Sequence, residues 1–164
     1  MQTKLKRSED YFSELVNKYT DVIYRLSLTY LKNISDAEDM CQIIFTKIFE
    51  LDKYFIDSEH EKAWIIRTTI NACKDMLRTL WKRRFIPIDN LSLPIKSNEN
   101  REVVEQVLKL PVKYRSVIYL YYYEGYNTME IAGLLGKKEP TIRTQLKRAR
   151  ELLKTKLGEE WEND

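Results

Sequence analysis

The sequence predicts an all-α protein: two small helical domains joined by a flexible linker, the second of them carrying a helix-turn-helix. Three observations lead there. Four Gly and four Pro in 164 residues are too few for the many turns of an all-β chain, whereas Leu, Ile, Lys, Arg and Glu are abundant. Apolar residues recur at steps of three and four along most of the chain, the period of one helical face. That period fails over residues 85–100 (FIPIDNLSLPIKSNEN), where two prolines and a Ser/Asn-rich end mark a linker. The expected boundaries are therefore 1–84, a linker over 85–100, and 101–164, with no internal repeat relating the two domains.

Phe12, Leu15, Val16, Tyr19, Val22, Ile23, Leu26 and Tyr30 predict a long amphipathic helix over about residues 10–31. Ser35 and Glu38 have capping-box spacing and are expected to open the next helix. Along it Ala37, Cys41, Ile44, Phe45 and Ile48 form a core stripe, Asp39, Gln42, Thr46 and Glu50 a polar stripe, and Met40 and Ile43 a third side. An apolar pair beside an acidic and amide stripe fits a partner-docking surface, and a second internal packing surface explains it equally.

Ser58 and Glu61 form a further expected capping box, starting a helix from Glu59 to about Arg84. Its buried side is marked by Ala63, Ile66, Ile70, Cys73, Leu77 and Leu80. The opposite side carries Trp64, Arg67, Asn71, Lys74, Asp75, Arg78 and Lys82 and ends in Trp81-Lys82-Arg83-Arg84. Aromatic faces and cations are what hold unstacked bases and follow phosphates. A solvated face with Trp in the core is the plain alternative.

After the linker, Val103, Val104, Val107 and Leu108 place a short helix ending near Leu110, and Pro111 stands where a first helical residue needs no amide hydrogen. The next helix is expected to bury Tyr114, Val117, Ile118, Tyr121 and Tyr122 and to end at a left-handed Gly125. Six tyrosines between Tyr114 and Tyr126 fit packing better than base stacking. Asn127 with Glu130 caps a helix bearing Ile131, Ala132 and Leu135, and Gly136 supplies the sharp turn. Ile142, Leu146, Ala149, Leu153 and Leu157 form the inner face of a second helix, leaving Arg143, Thr144, Lys147 and Arg148 on other faces.

Charge is concentrated. From Lys137 to Lys156 eight Lys or Arg face two Glu, a net of +6 on a chain whose total is +3. From Lys74 to Arg84 five basic residues stand against Asp75, a net of +4, and from Ser35 to Lys62 eight acids against three Lys give −5. A basic face on a helix-turn-helix points to duplex DNA. The 43% apolar and 32% charged composition is that of a soluble globular protein. No apolar run follows Lys4, Lys6 and Arg7, and the most apolar run, Val117 to Tyr123, is seven residues, so neither a signal peptide nor a membrane span is expected and the cytoplasm is the expected location. Cys41 and Cys73 lack metal-site or redox spacing and read as core thiols. One histidine, His60, and no base beside either Cys give an enzyme little support, and no cofactor, metal or small-molecule substrate is expected.

The ordered motifs resemble those of bacterial RNA polymerase sigma factors of the extracytoplasmic-function type over nearly the whole chain. Asp36-Ala37-Glu38-Asp39-Met40-Cys41-Gln42-Ile43-Ile44-Phe45 is similar to the family's DAEDLxQxxF segment. Ala63-Trp64-Ile65-Ile66-Arg67, with Asn71, Asp75, Leu77 and Arg78, is similar to AWLxxIxxNxxxDxLR. Leu110, Pro111, Arg115, Val117, Leu120, Glu124, Gly125, Glu130, Ile131, Ala132, Leu135 and Gly136 fall on the carboxyl-terminal pattern, followed by Thr141-Ile142, Leu146, Arg148, Ala149 and Arg150. Lys138 and Pro140 depart from the family's usual Ser cap and Gly, and Thr69-Ile70 from its usual Ile-Ala.

The resemblance implies a non-enzymatic protein that binds core RNA polymerase and directs promoter recognition, DNA melting and transcription initiation. It implies polymerase contacts from Asp39, Gln42, Met40 and Ile43, and minus-10 contacts from Trp64, Arg67, Asn71, Lys74 and Arg78. Minus-35 contacts are implied for Thr141, Arg143, Thr144, Lys147 and Arg148, with the linker threading through polymerase. An anti-sigma factor, often membrane-bound, is the further implied partner. The competing reading is a dimeric helix-turn-helix regulator, which leaves the DAED segment and the Trp64 helix unexplained.

Overall fold

A computed structural model describes residues 9–51, 55–82 and 98–158, with only the backbone of 80–82 and 98–100. Among the described residues the regular elements are all helices, in two compact units that divide between Asp89 and Asn90, inside the expected linker.

The first unit holds α1 (Glu9–Leu31), α2 (Ile34–Glu50) and α3 (Ser58–Lys82), with α1 packed against both others. Its core is the periodic set read from the sequence: Leu15, Tyr19, Val22, Ile23 and Leu26 of α1, Ala37, Cys41, Ile44 and Ile48 of α2, and Ile66, Ile70 and Cys73 of α3. Ile65 and Thr69 are also buried, whereas Phe45, Ala63 and Leu77 are half-buried. Thr69 is accommodated because its hydroxyl donates to the Ile65 carbonyl at 2.7 Å. The half-buried Phe45 meets Phe12 edge-on at 6.3 Å, and Phe12 meets the exposed Phe49 at 5.4 Å. Burial drives the thiol of Cys41 up to about 11 and that of Cys73 to about 12, so both are protonated core groups.

Both capping boxes expected in this unit are replaced by earlier caps. α1 stops because Lys32 adopts φ 54°, and the next residue, Asn33, caps α2 by accepting the Asp36 amide at 2.9 Å, so Ser35 lies inside the helix. At α3 the Asp57 carboxylate accepts the His60 amide at 2.8 Å. Glu61, thereby free of the capping task, turns inward to α1, where its carboxylate accepts the hydroxyls of Tyr19 at 2.7 Å and Tyr11 at 3.0 Å. The Trp81 side chain and Arg83-Arg84 lie outside the described residues.

In the second unit α4 spans Asn98–Leu108, so helix begins two residues before the expected end of the linker. Pro111 is the cap of α5 (Val112–Ile118), one position earlier than a first helical residue. α5 runs directly into a π turn, Tyr119–Tyr123, in which the Glu124 amide reaches back to the Tyr119 carbonyl at 3.1 Å. The extra residue rotates the following side chains around the axis. As a result Tyr119 and Leu120 enter the core, Tyr121 is half-buried, and Tyr122 is 46% exposed, contrary to the expected burial of Tyr121 and Tyr122. Gly125, at φ 76°, ends the segment as expected.

α6 (Thr128–Leu135) and α7 (Glu139–Leu157) form the helix-turn-helix. Asn127 and Glu130 make the expected reciprocal cap: Oδ1 accepts the Glu130 amide at 2.8 Å and Nδ2 donates to Glu130 Oε1 at 2.7 Å. Asn127→Ala is expected to lower the stability of the second unit by about 1 kcal/mol in urea unfolding. Gly136, at φ 64° and ψ 36°, closes α6 in the left-handed conformation. α7 starts without a side-chain cap at Lys138, with Pro140 in its first turn, and buries Ile142, Leu146, Ala149 and Leu153.

Candidate nucleic-acid and docking interfaces

On α2 the polar stripe is outward: Asp39 and Gln42 are exposed, and Ile43 is 39% exposed. Met40, expected on the same docking surface, is buried instead. At 1% exposure it belongs to the core, because it follows Ala37 by three residues and precedes Ile44 by four on the buried face. Ile43 borders a groove of about 350 Å³ between α2 and α3, lined also by Met40, Lys47, Ala72, Asp75, Met76 and Thr79. Lys47, Met76 and Thr79 were not among the expected site residues, since only the packing of two helices brings them beside Ile43.

On α3, Trp64, Arg67, Asn71, Lys74 and Arg78 succeed one another at steps of three and four, which aligns them along one helical face. Arg67, Asn71 and Arg78 are exposed, Lys74 is half-buried, and Arg78 pairs with Asp75 one turn back. Trp64 is half-buried, its ring 5.6 Å from that of Phe55, which in turn lies 5.7 Å from His60. Phe55 is thus the residue that sets the Trp64 ring, and its place just ahead of α3 carries no periodic signal in the sequence.

On α7, Thr141, Arg143, Thr144, Lys147 and Arg148 are all exposed, on the side away from Ile142, Leu146 and Ala149. The helix is not uniformly available. Arg150 is half-buried, its guanidinium 5.2 Å from the Tyr121 ring and 5.5 Å from that of Tyr122, with Nε donating to the Tyr122 hydroxyl at 2.6 Å. Thr144 donates to the Pro140 carbonyl at 3.0 Å. Arg143 donates through Nε and Nη2 to the two oxygens of Glu139, at 3.0 and 2.5 Å, and Glu139 also accepts the Thr128 hydroxyl at 2.8 Å. The bonds from Arg143, and then from Thr128, hold the Glu139 carboxyl below its ordinary range. Neither Glu139 nor Thr128 is among the expected site residues, because an acid in the first turn of a basic helix reads as a solvated charge.

Comparison with known proteins places both units. Residues 15–83 match sigma-70 region 2, and residues 100–153 match sigma-70 region 4. The ECF RNA polymerase sigma factor SigW of Bacillus subtilis (strain 168) is 30% identical over 175 residues, covering 93% of this chain and 91% of that protein. RNA polymerase sigma factor SigV of the same organism is 28% identical over 141 residues, covering 84% and 85%. In fold, the chain is similar to the sigma factor RpoE solved with the anti-sigma factor NepR from Bartonella quintana, with a TM-score of 0.76 at 20% identity over 93% of this chain and all of that one. It is also similar to CnrH solved with the cytosolic domain of CnrY, with a TM-score of 0.66 at 22% identity over 92% of this chain and 90% of that one. With region 2 and region 4 in order, each coinciding with one helical unit, the chain belongs to the extracytoplasmic-function group of RNA polymerase sigma factors.

Proposed function

We propose that the first unit docks on core RNA polymerase and holds the melted minus-10 strand, while the second reads the minus-35 duplex. The observation that carries this reading is the pairing of two different basic faces in one chain: a cation stripe with a tryptophan on α3, suited to unstacked bases, and a groove-width helix with five exposed polar residues on α7. Docking falls to Asp39, Gln42 and Ile43, with Met40 packed beneath them. Strand contacts fall to Trp64, Arg67, Asn71, Lys74 and Arg78, and duplex contacts to Thr141, Arg143, Thr144, Lys147 and Arg148. The linker passes through polymerase between the two. The protein performs no reaction of its own, works in the cytoplasm, and is bound by an anti-sigma factor; RpoE was solved in complex with the anti-sigma factor NepR, and CnrH with the cytosolic domain of CnrY.

Lys and Arg contacts to phosphate supply affinity and position, and a few side chains at base edges supply sequence choice. Each face alone is small, so specific binding depends on polymerase holding both at the promoter spacing. Reconstitution with core polymerase and sequencing of transcript starts tests the whole reading, and failure to bind core would overturn it. Tight, specific binding of the isolated chain to a promoter duplex would remove the requirement for polymerase. Arg143→Ala is expected to cost about 1 to 3 kcal/mol at one base pair of the upstream element, measured in holoenzyme–promoter titrations. Equal weakening on every sequence would instead make Arg143 a phosphate contact.

A further inference from the structure

Arg143 does not project freely from α7. Its Nε and Nη2 both donate to the Glu139 carboxylate one turn earlier, and that carboxylate is tied in turn to Thr128, the first residue of α6. The guanidinium is therefore fixed against both helices of the helix-turn-helix rather than against its own helix alone. Of the five N–H donors of an arginine, this clamp consumes two on the Nε edge. Three remain, and two of them, one on Nη1 and one on Nη2, form the end-on edge whose two parallel bonds match guanine O6 and N7.

We propose that Glu139 is a specificity-determining positioning residue: by clamping one edge of Arg143 it presents the other edge to a guanine in the major groove. The inference rests on the assignment of α7 to the minus-35 duplex. An acid in the first turn of a helix that approaches DNA lowers general affinity by repulsion from phosphate, and its compensation here is choice of base. Released from Glu139, Arg143 keeps its charge and still finds a phosphate, but its long side chain must be ordered anew on binding, and that loss falls on the one contact needing a defined orientation. Thr128 acts one step further back, holding the carboxylate itself. The Glu139 carboxyl, depressed first by Arg143 and then by Thr128, stays ionised well below neutral pH, so the clamp is closed under ordinary conditions.

The test uses the full chain assembled with core RNA polymerase and a set of promoter duplexes changed singly at each base pair of the upstream element. Arg143→Ala identifies the base pair that Arg143 reads as the one whose preference disappears, and that pair is expected to be G·C. Glu139→Gln keeps an acceptor for Thr128 while presenting an amide donor to Arg143. It should lower the preference for G·C at that position roughly threefold to tenfold, leave the other positions unchanged, and leave or raise binding to scrambled DNA. Thr128→Val should shift the same position in the same direction by less. Unchanged preference in Glu139→Gln, or equal weakening on all duplexes, overturns the inference while leaving the reading of α7 intact if Arg143→Ala still flattens one position. If Arg143→Ala flattens none, the DNA-reading assignment fails and the inference with it.

Discussion

Glu61→Ala is expected to destabilise the first unit by about 3 kcal/mol. Glu61 is 9% exposed, and its two oxygens take the hydroxyls of Tyr19 at 2.7 Å and Tyr11 at 3.0 Å across 42 and 50 residues of sequence. Bonds to a charged acceptor contribute roughly 1.5 to 3 kcal/mol each, and alanine also removes the side chain that fills this seam between α1 and α3. Lys18, 3.9 Å away and more than half exposed, adds little to that figure. Glu61→Gln, which keeps one acceptor oxygen and the volume, should lose less. Urea unfolding of the full chain, with amide hydrogen exchange to locate the opening, measures both. A loss under about 1 kcal/mol for alanine would mean that water replaces the carboxylate and that the network is a surface feature.

Ile142→Ala carries an expected cost of about 2 to 5 kcal/mol, confined to the second unit. Ile142 is fully buried one turn into α7, where that helix packs on α5 and α6. The start of α7 has no side-chain cap, so its anchorage there comes from packing and from the Glu139–Thr128 bond. A cavity under this turn therefore loosens the residues proposed to face DNA before it loosens the rest of the helix. Faster amide exchange in 98–158, with 9–82 unchanged, is the expected pattern, together with loss of preference at the upstream element. Uniform acceleration across both units would contradict a cost confined to the second.

Most of the fold was legible because the helices are amphipathic and the motifs come in order. The steps of three and four predicted α1, α2, α3 and α7 nearly to their ends, and the break over 85–100 predicted two units. What failed shares one physical cause: competition between nearby groups able to do the same job. Asn33 and Asp57 each precede a Ser with an equal claim to cap the helix, and geometry set by Lys32 and by the inward turn of Glu61 decided between them. The π turn carries no sequence signal, since Tyr119 to Tyr123 would fit either phase of a helix, and core packing selected the one that buries Tyr119. Among the site residues, exposure followed period except at Met40, which shares a stripe with Ala37 and Ile44, and in part at Trp64 and Lys74, which are half-buried. Phe55 for Trp64 and Thr128 for Glu139 were invisible because they lie outside the helix they support; the Glu139–Arg143 pair has i,i+4 spacing, but its tie to Thr128 across the turn has no sequence signal.

The π turn also fixes how much of the positive charge of α7 reaches a ligand. It carries Tyr121 and Tyr122 toward Arg150, so that the last arginine of the basic run is half-buried against two rings and a phenol oxygen. Counterion release on binding is proportional to the phosphates neutralised, not to the formal charge of the helix. On the proposed reading of α7, a single inserted residue in the helix before the turn thus lowers the number of phosphates that the helix can neutralise, with Arg150 held in the domain beside the buried Ala149 and Leu153.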